Sequence, residues 1–62
     1  MNTDWTVWAG GTEVSYSLLT QDEAKDLAME YIGGDYEIED VQIKNLSDDK
    51  NYQLINNKWR EV

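Results

Sequence analysis

Thr20-Gln21-Asp22-Glu23 has the form of a helix-opening capping box, and it constrains this chain more than any other stretch. The Thr20 hydroxyl can accept from the Glu23 amide while the Glu23 carboxylate reaches back to the Thr20 amide. Behind the box, Ala24, Leu27, Ala28, Tyr31 and Ile32 recur at helical spacing and make one apolar stripe. Asp22, Asp26 and Glu30 recur on the opposite side. Gly33-Gly34 supplies the C-terminal stop. The spacing predicts a helix of about three turns.

On either side of the helix the hydrophobic period drops to two. Trp5-Thr6-Val7-Trp8-Ala9 and Thr12-Glu13-Val14-Ser15-Tyr16-Ser17-Leu18 flank Gly10-Gly11. A Gly-Gly pair between alternating runs predicts a hairpin, because both residues tolerate positive φ. A two-residue turn pairs Ala9 with Thr12, Val7 with Val14 and Trp5 with Tyr16, all on one apolar face. Thr6, Trp8, Glu13 and Ser15 take the other face. After the helix, Tyr36 and Ile38 alternate in one phase and Val41 and Ile43 in the other. A strand with a bulge near Glu39-Asp40 reconciles them. Ser47-Asp48-Asp49-Lys50 reads as a turn. The remainder supports two readings. As strands, Tyr52-Gln53-Leu54-Ile55 and Lys58-Trp59-Arg60-Glu61 flank Asn56-Asn57 and set Leu54 opposite Trp59. As a helix, Tyr52, Ile55, Trp59 and Val62 share a face. The Asn residues weaken the helix and suit the turn, so strands are favoured. The expected fold class is α+β over one domain, residues 1–62. It comprises a β-hairpin, one amphipathic helix, then two or three antiparallel strands (ββαββ(β)), with the helix packed on one sheet face.

So small a domain buries only about 60% of the surface its unfolded chain exposes. There is no cysteine and no histidine, so neither disulfides nor the usual zinc ligands support the fold. Apolar packing must carry it, and three Trp and four Tyr supply large areas for that purpose. The same absences remove the usual general base and the thiol nucleophile. Neither Gly-Gly pair has the spacing of a dinucleotide fingerprint or a phosphate loop. Carboxylates abound, but a substrate cleft is hard to enclose in so short a chain. No enzyme, cofactor or metal site is expected. No apolar run reaches membrane-spanning length. Met1-Asn2-Thr3-Asp4 lacks a basic start followed by an apolar stretch, so no signal peptide is expected. A cytoplasmic location is the expectation.

Charge is the feature with functional content. Net charge is −8, and residues 1–43 hold ten acids against one base, Lys25. Such a surface repels nucleic acid and anionic lipid and attracts basic proteins. Asp22, Asp26 and Glu30 form a line of carboxylates that Glu13, Asp35, Glu37, Glu39 and Asp40 extend. The line is either a nucleic-acid-like surface for a basic cleft or an ordinary solvated helix face that keeps the protein in solution. Trp8, turned away from the apolar hairpin face, is either a binding anchor or buried beneath the C-terminal segment or in a homodimer seam. Lys58-Trp59-Arg60 places two bases around an aromatic, and Trp59 is better read as a core cap than as a nucleic-acid contact.

Two stretches resemble a group of small proteins encoded by bacteriophages and prophages of Gram-positive bacteria. They are Trp5-Thr6-Val7-Trp8-Ala9-Gly10-Gly11-Thr12-Glu13-Val14 and Leu19-Thr20-x-x-Glu23-Ala24-x-x-Leu27-Ala28-x-x-Tyr31. The resemblance covers residues 5–43, the hairpin, helix and following strand. It carries no residue roles, because members of the group are mostly uncharacterised. It implies a phage-encoded protein working in the cytoplasm of an infected or lysogenic bacterial host. The expected function is to bind and modulate or inhibit a host or phage protein, such as a nucleic-acid-binding defence protein of the CRISPR effector kind. Trp8, Glu13, Asp22, Asp26, Glu30, Asp35 and Glu37 are the candidate contacts to a partner with a basic surface. No direct nucleic-acid or membrane contact is expected. The alternative is a self-associating structural or accessory protein, a homodimer that inhibits nothing.

Overall fold

The computed structural model describes residues 3–62. Met1 and Asn2, part of the N-terminal stretch read above as lacking a leader, lie outside them. The described chain runs β1 (Trp5–Ala9), β2 (Thr12–Glu13), α1 (Gln21–Ile32), a short 3-10 helix (Ile38–Asp40), β3 (Val41–Asn45), β4 (Lys50–Ile55) and β5 (Lys58–Glu61). The strands form one antiparallel sheet in the order β2-β1-β3-β4-β5. The fold is thus α+β in the expected element order. Both β2 and β3 run antiparallel to β1, so they are parallel to each other with β1 between them. The helix connecting them crosses over β1 and packs on β1 and β3.

Gly10 and Gly11 have φ of 61° and 82°, as a tight hairpin turn requires. The register sets Ala9 opposite Thr12 and Trp8 opposite Glu13, as expected. The second strand is far shorter than the predicted Thr12–Leu18, and the cause is local. The Val14 amide donates to the Val7 carbonyl (2.9 Å), but the Val7 amide donates to Ser15 Oγ (3.2 Å) instead of a backbone oxygen. The Ser15 hydroxyl thereby ends the ladder. The chain swings outward over Tyr16-Ser17-Leu18 and returns at Leu19, whose amide and carbonyl both bond Trp5 (2.9 and 3.0 Å). The expected Trp5–Tyr16 pair is therefore replaced by Trp5–Leu19, and Tyr16 is fully exposed rather than on the apolar face.

The capping box forms in both directions, Glu23 N–H to Thr20 Oγ1 (3.2 Å) and Thr20 N–H to Glu23 Oε1 (2.9 Å). Ala24 and Ala28 are fully buried, which lets the helix lie close to the sheet; Leu27, Tyr31 and Ile32 flank them half-buried. Gly33-Gly34 ends the helix without the left-handed conformation expected of a glycine stop. Gly33 has φ of −75°, and its amide still bonds the Met29 carbonyl at 3.0 Å. The predicted bulged strand around residues 36–43 is corrected too. Its first half is loop and 3-10 helix, and the strand begins only at Val41. Tyr36 accounts for the change of phase, because it turns inward onto the core and meets Tyr31 edge-on at 5.9 Å.

β3 and β4 are joined by a turn over residues 46–49, with Asp49 at φ 55° and the Asp48 amide bonded to Asn45 Oδ1 (3.0 Å). Lys50, placed in the turn by sequence, opens β4 instead. The strand reading of the C-terminus holds. Asn56 and Asn57 sit at φ 52° and 66°, and Leu54 lies opposite Trp59. The core lies between α1 and one sheet face, with Val7, Val41 and Ile43 fully buried and Trp5 packed against Tyr52 at 5.5 Å.

Candidate functional site

Strand register decides which side chains reach the sheet face that α1 leaves open. Cα partners in a ladder share a face, and neighbours along a strand alternate. Trp5, Val7 and Ala9 face the helix, so Thr6 and Trp8 face away from it. One row then crosses all five strands on the open face: Glu13, Trp8, Gln42, Gln53 and Arg60. A second row carries Thr6, Lys44 and Asn51. The row runs from an acid at the β2 edge to a base at the β5 edge.

Trp8 is half-buried on β1, one strand in from the β2 edge of this surface. Its indole Nε1–H donates to Thr6 Oγ1 at 3.1 Å, and Thr6 is only 3% exposed. The ring therefore lies along β1 with its donor already used. The C-terminal strands extend the sheet on the far side of β3, so they do not lie over Trp8. Beside the ring is a concavity of roughly 460 Å3 lined by Trp8, Gly10, Gly11, Glu39, Asp40, Gln42, Lys44 and Asn51. Gly10 donates its amide to the Asp40 carbonyl (2.9 Å), which ties the hairpin turn to the acidic 3-10 helix. Lys44 points its ammonium at Asp49 Oδ1, 3.3 Å away.

The predicted acids separate into three places. Asp22, Asp26 and Glu30 are exposed on the outer side of α1. Asp35 and Glu37, also exposed, flank the inward-turned Tyr36 at the helix C-terminal end, where the Tyr36 ring comes close to Gly10. Glu13 stands beside Trp8 on the open face, with the Ser15 hydroxyl 3.5 Å from its Oε2. The helix starts at the Trp5 end of β1 and finishes at the Gly10 end. The acids thus follow a path along the helix, around the hairpin end and onto the rim of the concavity. Among the described residues the ion pairs are Lys44–Asp49 and Lys50–Glu61, and neither uses an acid on this path.

Gln42 and Asn51, which line the concavity, were not singled out by sequence. Gln42 carries a signal in its polar place between Val41 and Ile43, whereas Asn51 lies ahead of the expected strand, which starts at Tyr52, and joins the site because β4 begins at Lys50. In sequence Glu39 and Asp40 only extend the acidic line, and the fold brings them beside Trp8. A shallower hollow of about 150 Å3 lies on the helix against Leu27, Glu30 and Tyr31. No group of side chains among the described residues is arranged to hold a metal ion. No described helix is long and apolar enough to cross a membrane. Neither a family model, nor a curated protein, nor a solved structure matches the chain.

Proposed function

We propose that this chain is a protein-binding module that docks its acidic surface on a basic partner and modulates it. The partner class is a host or phage protein that otherwise handles nucleic acid, a CRISPR effector among the candidates, and the module is phage-encoded. The observation that carries this reading is the run of exposed carboxylates Asp22, Asp26 and Glu30, none of which forms an ion pair with a described cation. Four residues of helix rise about 6 Å, so the three charges stand in a line of negative charge along the helix. Charges so placed speed association and select the partner more than they raise affinity. The experiment is capture of the partner from host lysate, followed by association rates against salt. Wild type should slow steeply as salt rises, and Asp22→Asn/Asp26→Asn/Glu30→Gln should start slower and respond less. Equal rates with equal salt slopes would return these carboxylates to a role in solubility.

Self-association is the second reading, and one observation favours it. The outward swing after β2 leaves Tyr16 fully exposed with Leu18 half-exposed beside it. Sedimentation of wild type and Tyr16→Ser separates the two, because a dimer seated on this loop dissociates in the variant.

A further inference from the structure

We infer that the Trp8 concavity is a receptor for an arginine side chain presented by the partner. The inference rests on the reading of a basic protein partner and names the chemistry of one contact. Three observations converge on a guanidinium. First, the Trp8 indole N–H is already held by Thr6 Oγ1, so what the ring offers an incoming group is its π face and edge rather than a donor. A tryptophan face is the best aromatic platform for a cation, and arginine stacks on it more often than lysine.

Second, the charge on the lining is negative in effect. Glu39 and Asp40 are exposed at the rim and in no described ion pair, whereas the one cation, Lys44, is engaged by Asp49. Gln42 and Asn51 add amide oxygens that can accept. An anionic ligand would meet two carboxylates against a single cation that already faces Asp49, so phosphate, nucleotide and nucleic acid fit less well than a cation does. A planar fork of N–H donors can stack on the ring and reach the carboxylates together. Third, the lining beside Asp40 is the glycine turn of the hairpin. A Cβ at Gly11 would meet nothing within 4 Å, so the approach over the hairpin turn is open. The volume of roughly 460 Å3 lies within the usual range for a small-group site, about 300–1,000 Å3.

The test uses the whole protein, isotope-labelled for NMR, and a blocked Gly-Arg-Gly peptide at millimolar concentration. The expected result is saturable shifts at the Gly10 and Gly11 amides, the Trp8 indole and the Asn51 side-chain amide. Glu39→Gln/Asp40→Asn removes exposed carboxylates without touching the core, and should raise the Kd by about threefold to tenfold. Asp22→Asn/Asp26→Asn/Glu30→Gln should leave it unchanged, since those acids lie on the other side of the sheet. Unsaturable shifts, or equal binding of Gly-Gln-Gly, would overturn the inference. So would equal binding of Gly-Lys-Gly, or saturation by a neutral monosaccharide in place of the arginine peptide. The two proposals fail separately. Arginine binding that persists when helix charges prove irrelevant to partner association keeps the receptor and discards the helix surface.

Discussion

Ile43 has no exposed surface, and Val7 and Tyr52 flank it across the ladder. Truncating a core isoleucine to alanine costs about 2–5 kcal/mol. Stability of roughly 0.05–0.15 kcal/mol per residue gives a domain of this length about 3–9 kcal/mol in total. Ile43→Ala is therefore predicted to abolish most of the cooperative thermal transition seen by circular dichroism. A transition kept within a degree or two of wild type would mean the core is not centred there. The two hairpin glycines make a finer test. Both have positive φ, where a side chain costs about 1–2 kcal/mol. A Cβ at Gly10 would also stand 3.1 Å from Tyr36 Cε1, while one at Gly11 meets open space. Gly10→Ala should thus lower the urea midpoint more than Gly11→Ala does. The reverse order would place Tyr36 elsewhere.

The helix shows how a stripe legible in sequence acquires unequal weights in a fold. Leu27 is the largest aliphatic group near the stripe's middle, yet it is half-buried, and the fully buried positions are Ala24 and Ala28. Leu27→Ala should cost only about 1–2 kcal/mol, since part of its surface is already in water. Ala28→Leu should cost about 1–3 kcal/mol, by forcing the helix off β1 and β3. Thr20→Ala should cost about 1 kcal/mol through the lost cap. Denaturant titration of the three variants checks both the sizes and the helix orientation. A fully destabilising Leu27→Ala beside a silent Ala28→Leu would rotate the helix about its axis. The outer strand β5 has its own device. It is an edge, and Lys58 and Arg60 stand exposed along it, so a second copy pairing antiparallel in face-matched register brings like charges together.

Taken whole, the molecule carries a net charge of −8 on 62 residues, and most of the described acids are exposed and unpaired. Self-repulsion of this kind destabilises the compact state, and salt screens it over about 8–10 Å near physiological ionic strength. The thermal midpoint of wild type is predicted to rise as salt is added. Asp22→Asn/Asp26→Asn/Glu30→Gln should melt with a weaker salt dependence, offset slightly by the loss of Asp22 from the favourable first turn. Differential scanning calorimetry at two salt concentrations decides this without knowledge of any partner. A midpoint indifferent to salt in both proteins would show that the acids are too far apart to repel one another appreciably.

Local chemistry alone determined the helix, its cap and the two-residue hairpin turns, because each depends on residues within four positions of one another. The Gly10-Gly11 and Asn56-Asn57 turns and the Thr20–Glu23 box are of this kind. The pairing of Leu54 with Trp59 followed from its turn in the same way. What lay beyond that reach was decided by tertiary structure. β2 stops at Glu13 because Ser15 Oγ competes for the Val7 amide, and alternation alone does not reveal a side chain that outbids a backbone oxygen. Tyr36 leaves the strand pattern because the core beneath Gly10 has room for its ring. The candidate site depends most on distance. Trp8 and Glu13 share a hairpin, so their pairing follows from the turn. Glu39 and Asp40 join Trp8 only because the helix carries the chain across β1 and returns it as β3, and no local pattern records which strands become neighbours.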